Sequence, residues 1–208
     1  MTFDSLTIAL APAAAAAYGP GPPWFVNAAG TSVVYRSTVL GRPCYAYQGT
    51  RTWRQWIVDF MATDVAWHPH PVFGPVHEGF WLEIQASLAA IAADLSAKGW
   101  PEYFVTGHSM GGGETRLTHA AMKQIGHPPL ASRSYEPPCV GTAGLTAWLA
   151  DQDHGWTQTY NATGSDLVTQ FVDWPEWEHQ GALTRLQVPD AYGMARKHGM
   201  TAVLAAMS

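Results

Sequence analysis

Five consecutive residues, Gly107-His108-Ser109-Met110-Gly111, have the composition and spacing needed for nucleophilic chemistry. In a G-x-S-x-G pattern the serine sits at a sharp turn from a strand into a helix, and the flanking glycines omit Cβ atoms that would clash. The helix presents N–H groups and the positive end of its dipole to a developing oxyanion. Ser109 is therefore the predicted nucleophile of an acyl-transfer reaction.

The residues around this pattern supply the strand and the helix that it needs. The apolar run 103–105 is typical of a short buried strand, and the segment 111–122 contains few β-branched residues, as expected of a helix. The alternative interpretation is a glycine-rich turn in an inert domain, because a G-x-S-x-G pattern alone also occurs by chance. The strand before it and the helix after it favour the catalytic interpretation.

A serine nucleophile needs a base within hydrogen-bond reach, and the base needs an orienting carboxylate. Asp166 follows a predicted strand at 156–163, at the sheet edge where ligands bind. His198 lies in a loop immediately before a short C-terminal helix, a suitable place for the base. Three other aspartates and one other histidine are alternatives for these roles: Asp151, Asp153, Asp173 and His179.

The other histidines are predicted to be structural. His108 is adjacent to Ser109 on a sharp turn, so the two side chains point apart, and His108 is expected to make hydrogen bonds below the turn. His68, His70 and His77 have no accompanying cysteine or carboxylate cluster, which disfavours a metal site. Neither a metal ion nor a cofactor is expected.

Length and composition indicate one globular domain spanning residues 1–208. The chain is 47% hydrophobic and 13% charged, which excludes a disordered protein. Its net charge of −5 argues against a nucleic-acid partner, so a small-molecule substrate is expected. No apolar run reaches the length of a membrane span, and stable membrane insertion is not expected. The oligomeric state is left open.

Two features bear on the cellular compartment of the protein. The segment 5–18 is apolar, but Asp4 precedes it and no positive charge does, so we expect a helix of the fold and not a secretory signal peptide. A cytoplasmic location, or export by a non-standard route, follows from that expectation. Cys44 and Cys139 do not define a disulfide framework and are expected to be buried thiols, although their pairing stays open.

Strands alternating with helices predict an α/β fold with a mostly parallel central sheet. Strands are expected at 31–37 and 44–48, joined as a hairpin, then before Ser109 and at 130–135 and 156–163. Helices are expected at 5–18, 77–98, 111–122 and 144–150, and from about residue 198. The proline-rich segment 68–75 is predicted to be a loop, and 181–190 is ambiguous.

Seven short segments, in order along the chain, resemble the motifs of class 3 lipases, the fungal-lipase-like branch of the α/β-hydrolases. They are AYQGT at 46–50, RTWRQWIVDF at 51–60, VHEGF at 76–80, VTGHSMGGG at 105–113, YEPPCVG at 135–141, NATGSDLVTQF at 161–171 and HGM at 198–200. The resemblance covers about residues 10–205, nearly the whole domain. At one position of the fifth motif Glu136 stands where the family usually has glycine.

This resemblance implies an α/β-hydrolase fold and a serine carboxylic-ester hydrolase that acts through an acyl-enzyme. Carried over by position, Ser109 is the nucleophile, Asp166 the orienting acid and His198 the base. The implied oxyanion hole consists of the backbone N–H groups of Thr50 and Met110, with the Thr50 hydroxyl as a candidate third donor.

Two regions of the sequence bear on substrate choice. The stretch between Thr50 and Val76 is short and carries three prolines, which disfavour the helical lid of the family lipases. A reduced or absent lid predicts an open site that accepts short- to medium-chain or aryl esters. Trp174 and Trp177, between the predicted acid and base, are candidates to line the substrate pocket. The alternatives are an acyltransferase or amidase with the same triad, and a silent hydrolase scaffold used for binding.

Overall fold

The central sheet has seven strands within the part of the chain that the computed structural model describes. The described residues are 3–50, 67–150, 157–161, 167–170, 182–186 and 198–208. The strands are β1 (Phe25–Val26), β2 (Val33–Val39), β3 (Arg42–Tyr47), β6 (Phe104–His108), β7 (Ala131–Tyr135), β8 (Thr157–Asn161) and β9 (Ala182–Leu186). They lie side by side in that order.

The sheet is mixed, and its parallel part includes β6, the strand that leads directly into Ser109. The pairs β1–β2 and β2–β3 are antiparallel, whereas the pairs β3–β6, β6–β7, β7–β8 and β8–β9 are parallel. The hairpin between β2 and β3 turns at Leu40 and Gly41, which have φ values of 50° and 77°. Two consecutive positive φ values are the signature of a turn that matches the twist of a hairpin. The predicted mostly parallel central sheet is confirmed.

Helices cover both faces of the sheet. They are α1 (Ser5–Ala16), α2 (Glu78–Lys98), α3 (Met110–Gln124), α4 (Ala143–Leu149), α5 (Leu167–Gln170) and α6 (Met200–Met207). Successive side chains of β3 point to opposite faces of the sheet. Tyr45 packs in a core cluster with residues of α2 and α3, whereas Cys44 packs on the other face with Leu10 of α1.

The N-terminal helix is an integral part of the fold, as predicted. Asp4 caps helix α1 by accepting a hydrogen bond from the Thr7 N–H at 2.8 Å. Arg133 of β7 donates to Asp4 Oδ1 at 3.2 Å and to Thr7 Oγ1 at 2.9 Å, which ties the start of α1 to the sheet. Beyond the other end of α1, the Tyr18 hydroxyl lies 2.8 Å from Nδ1 of His108, the last residue of β6.

Three segments differ from the sequence prediction or add to it. The proline-rich segment predicted as a loop forms a hairpin of β4 (Trp67–His70) and β5 (Gly74–His77), so that prediction was wrong. An isolated two-stranded hairpin tolerates proline because its outer edges need no ladder hydrogen bonds. The ambiguous segment 181–190 contains β9, and the two-residue strand β1 was not predicted.

The remaining structural expectations concern the cysteines, the helix ends and membrane spans. Cys44 and Cys139 are both buried thiols, as expected. Helix α2 is capped by Gly99, whose φ of 63° is the left-handed conformation typical of a glycine C-cap. Among the helices that the structure describes, none is long and apolar enough to cross a membrane.

Candidate active site

Ser109 occupies the turn between β6 and α3 in a strained backbone conformation. Its φ is 56° and its ψ is −127°, a region that costs a non-glycine residue roughly 1–3 kcal/mol. Glycines make the tight turn possible. A Cβ atom at Gly107 would lie 2.2 Å from the Gly111 carbonyl oxygen, and one at Gly111 would lie 2.3 Å from the Tyr47 carbonyl oxygen. The turn therefore has the geometry expected of a nucleophile-bearing elbow.

His198 lies directly opposite the serine. Its Nε2 atom is 2.8 Å from Ser109 Oγ, although 89 positions separate the two residues in the chain. His198 precedes helix α6, and both side chains are nearly inaccessible to solvent, at 3% for His198 and 2% for Ser109. The structure thus brings together the predicted nucleophile and the predicted base, within the distance that proton transfer requires.

His108 holds the backbone of His198 in place. The Nε2–H of His108 donates to the His198 carbonyl oxygen at 2.8 Å, and Nδ1 of His108 accepts from the Tyr18 hydroxyl at 2.8 Å. Burial lowers the pKa of His108 well below its usual range, and the repulsion that two protonated imidazoles side by side would feel, His108 and His198, lowers it further. His108 is therefore neutral, with its proton on Nε2, and it forms hydrogen bonds below the turn as the sequence predicted.

Glu136 completes the buried group around His198. It follows β7, has no exposed surface and has a φ of 48°. One of its oxygens, Oε2, lies 3.2 Å from His108 Nε2 and 3.6 Å from His198 Nδ1. In the sequence Glu136 stands where the family usually has glycine, and no role was predicted for it. The signal that could have found it was a carboxylate at the C-terminal end of a parallel strand next to the nucleophile strand.

The predicted oxyanion-hole residues flank the serine. Thr50 follows β3, whose C-terminal end lies beside that of β6, and Met110 opens helix α3. The N–H groups in the first turn of a helix have no intrahelical acceptor, so the Met110 N–H is suited to an oxyanion. The Thr50 hydroxyl, the candidate third donor, instead donates to Met110 Sδ at 3.2 Å. The two backbone N–H groups remain the predicted donors.

Two cavities meet at Thr50. The first has a volume of about 440 Å³ and contains Ser109 and His198, with Tyr18 at the end of α1 and Leu204 of α6 among its walls. The second has a volume of about 490 Å³ and extends on the side of Met110. Its lining includes polar groups, namely Thr31, Gln48, His77 and Glu83. Open space therefore lies on two sides of Thr50, and the cavity on one of these sides contains Ser109.

Several predicted site residues cannot be placed. Asp166, Trp174 and Trp177 lie outside the described residues, as do the alternatives Asp151, Asp153, Asp173 and His179. Strand β8 ends at Asn161 and runs parallel to β7, so the chain reaches the active-site edge of the sheet five residues before Asp166. The role of Asp166 stays a prediction.

One cluster has the composition of a metal site. Among the described residues, the ligand atoms of His108, Glu136 and His198 lie within 4.8 Å of one another. Both ring nitrogens of His108 are engaged in hydrogen bonds, and Nε2 carries the proton that the His198 carbonyl accepts. A cation would have to displace that bond, so the donor set fits a hydrogen-bond network better than a metal. His68 and His70 instead stack on the aromatic rings of Trp81 and Phe73.

The sequence of residues 44–175, more than half of the chain, matches the lipase (class 3) family. The chain belongs to the class 3 lipase family. Family membership makes it a carboxylic-ester hydrolase of the α/β-hydrolase superfamily, which confirms the family and the enzyme class predicted from the motifs.

Solved lipase structures share the fold of this class 3 lipase at low sequence identity. A lipase from Rhizopus microsporus var. chinensis is 20% identical, with a TM-score of 0.70, covering 89% of this chain and 76% of its own. A triacylglycerol lipase from Penicillium expansum is 17% identical, with a TM-score of 0.73 and coverages of 90% and 82%. Lip2 lipase from Yarrowia lipolytica is 19% identical, with a TM-score of 0.68 and coverages of 90% and 81%. No curated protein sequence matches the chain.

Proposed function

We propose that this lipase hydrolyses short- to medium-chain or aryl carboxylic esters through an acyl-enzyme on Ser109. The observation that carries the proposal is the 2.8 Å distance between Ser109 Oγ and His198 Nε2 at a strained, buried turn. A serine hydroxyl becomes an effective nucleophile when a neutral imidazole accepts its proton as it attacks.

The first half of the reaction forms the acyl-enzyme. Ser109 Oγ attacks the ester carbonyl while His198 Nε2 takes the hydroxyl proton. The backbone N–H groups of Thr50 and Met110 donate to the carbonyl oxygen as it becomes an oxyanion, and each such donor contributes about 3 kcal/mol to transition-state stabilisation. The His198 imidazolium then gives its proton to the departing alcohol, and Ser109 retains the acyl group.

The second half releases the acid by the same steps with water as the nucleophile. His198 takes a proton from water, the hydroxide attacks the acyl carbon, and Ser109 recovers its proton as the acid leaves. Asp166 is the proposed orienting acid of His198. The two cavities that meet at Thr50 are suited to hold the acyl and alcohol parts on separate sides of the scissile bond.

Substrate size follows from the short stretch between Thr50 and Val76, which leaves little chain for a lid. Small soluble esters should therefore reach Ser109 without a lipid interface. We expect p-nitrophenyl esters from about C2 to C8 to be hydrolysed faster than the C16 ester, with no jump in rate at the solubility limit. Trp174 and Trp177 are the proposed additional walls of the substrate pocket.

The test is a kinetic series on p-nitrophenyl esters from acetate to palmitate, with and without detergent micelles, using Ser109→Ala as the inactive control. A sharp rate increase at the solubility limit and a preference for long chains would overturn the open-site proposal. A hydroxylamine or alcohol acceptor added to the same assay reports acyl transfer. If transfer to the acceptor outpaces hydrolysis at low acceptor concentration, the protein is an acyltransferase.

A further inference from the structure

Glu136 occupies a backbone position that favours glycine. Its φ of 48° lies in the left-handed region, where a side chain strains the backbone and glycine does not. Among the described residues, only two other non-glycine residues have positive φ, Leu40 in an exposed hairpin turn and Ser109. A strained residue beside a nucleophile suggests that its side chain has a role there, since such strain concentrates at functional sites.

The loop that carries Glu136 is held firmly against the nucleophile. The Ser109 N–H donates to the carbonyl oxygen of Tyr135, the preceding residue, at 2.9 Å. Buried Arg116 of α3 donates to the carbonyl oxygen of Pro138 at 2.8 Å on the other side of Glu136. These two bonds fix the backbone around Glu136, so its carboxylate cannot move far from the elbow.

The carboxylate is wholly buried and faces imidazoles. His108 Nε2 is 3.2 Å from Oε2, and His198 Nδ1 is 3.6 Å from the same oxygen. The single Nε2–H of His108 donates to the His198 carbonyl oxygen at 2.8 Å and is shared, at the longer distance, with this carboxylate oxygen, which it helps to hold in place. The ring atom of His198 that faces Glu136 is Nδ1, the atom opposite the one that contacts Ser109. That is the side from which a carboxylate orients a histidine base.

We propose that Glu136 is a second positioning residue for the base, acting on His198 alongside the predicted acid Asp166. Its carboxylate aligns the His198 ring with Nε2 toward Ser109 and stabilises the imidazolium that forms when Ser109 loses its proton. A distance of 3.6 Å supports charge attraction, and contacts of this kind shorten when the imidazolium forms. The proposal rests on the proposed function, in which His198 is the base.

The direct test compares Glu136→Gln with Glu136→Asp in ester hydrolysis. The glutamine keeps the side-chain shape and removes the charge, so kcat should fall about 10- to 100-fold with little change in KM. The aspartate keeps the charge and tolerates a positive φ, so it should recover part of kcat. The acid limb of the kcat/KM profile should also move to lower pH in Glu136→Gln, because the protonated base loses a neighbouring negative charge.

Glu136→Gly separates the chemical role from backbone strain. Glycine relieves the positive φ but removes the carboxylate, so this variant should remain folded and lose as much kcat as the glutamine variant. Leu40→Gly is the matched control, since Leu40 has a φ of 50° and a side chain that is 62% exposed. It should melt at the same or a higher temperature than the wild type and keep full activity.

The outcomes distinguish this inference from the proposed function. A folded Glu136→Gln protein with wild-type kcat and an unchanged pH profile would overturn the role of Glu136, provided that Ser109→Ala is inactive in the same assay. Equal losses in the glutamine and aspartate variants, with no change of the pH profile, would show a structural role only and would also overturn it. If Ser109→Ala is active, the proposed function fails and not merely the role of Glu136.

Discussion

The two halves of the proposed active site, the proposed nucleophile Ser109 and the proposed base His198, are positioned in different ways. On the nucleophile side, five consecutive residues determine where Ser109 lies: β6 ends, two glycines permit the close approach, and α3 begins. On the base side, His198 is held by residues far away in the chain. His108 binds its carbonyl oxygen, and Tyr18 binds His108 in turn. The local half is a property of one turn, and the other half exists only in the complete fold.

This difference indicates how each half should respond to substitution. A change in the elbow acts on the backbone itself, where a Cβ atom would meet carbonyl oxygens at 2.2–2.3 Å and nothing flexible can move away. A change in the network around His198 removes one hydrogen bond among several, and the remaining contacts still support the histidine. Elbow substitutions should therefore act in an all-or-none manner, and network substitutions should have graded effects.

Ser109→Ala should have the largest effect on activity. We expect hydrolysis of p-nitrophenyl acetate to fall by on the order of 10⁴-fold or more, because no other group can form the acyl-enzyme. Stability should be unchanged or higher, since active-site residues are often not optimal for stability. Initial rates and a thermal melt of the same preparation check both statements. Residual activity above a tenth of wild type would remove Ser109 from its assigned role.

His198→Ala should cost on the order of 10³-fold or more in kcat, because members of a triad act as a unit. His179→Ala is the matched comparison, since His179 also follows Asp166 in the sequence, and its effect should be mild. The measurement is kcat for both variants with one ester at saturating concentration. The reverse ranking would assign the base to His179 and would contradict the 2.8 Å contact of His198 as the functional one.

Gly111→Ala should lower the free energy of unfolding by about 3 kcal/mol, or prevent folding, because its Cβ would lie 2.3 Å from the Tyr47 carbonyl oxygen. Gly21→Ala is the control, since a Cβ at Gly21 has no neighbour within 4 Å. Denaturant unfolding of the two variants gives the comparison. If Gly111→Ala is as stable as Gly21→Ala, the elbow is more adaptable than its geometry indicates.

Acid should weaken the fold through buried histidines. Burial lowers the pKa of His108 well below its usual range and that of His77 to about 4. Between about pH 6.5 and pH 4 the unfolded chain binds these protons and the folded protein does not, so stability rises with pH across this window and is fully present above it. Denaturant unfolding at pH 5 and pH 7.5 measures the difference.

A variant of His77 separates the contributions of His77 and His108 to this loss of stability in acid. His77→Gln should reduce the slope of the unfolding free energy against pH, by an amount that corresponds to at most one fewer proton bound on unfolding. The part of the slope that comes from His108 should remain. Equal stability of the wild type at the two pH values would contradict the neutral state assigned to His108. It would also remove the basis for placing the single ring proton of His108 on Nε2, where it donates to the His198 carbonyl oxygen.

The sequence was informative where local rules determine structure. The elbow and helix α1 both follow from residue types within a few positions of one another. The proline-rich hairpin β4–β5 was misread because proline content disfavours strands on average, whereas an isolated pair of edge strands accepts it.

The site was less predictable than the fold, because its contacts cross most of the chain. The order of Ser109 and His198 could be inferred from the family resemblance, but the bond from His108 to the His198 backbone spans 90 positions and has no sequence pattern. Glu136 was visible only as an unexpected residue. Its meaning depends on which side of the His198 ring it faces, and only the packed structure provides that information.

Covalent labelling tests most directly whether Ser109 is the activated nucleophile of this ester hydrolase. The wild-type protein is treated with a fluorophosphonate, its intact mass is measured, and the modified peptide is mapped. We expect one adduct per chain, located on Ser109, absent in Ser109→Ala and formed much more slowly in His198→Ala. A folded wild-type protein that acquires no adduct, or that is labelled at a residue other than Ser109, would contradict the proposed role of Ser109 as the nucleophile.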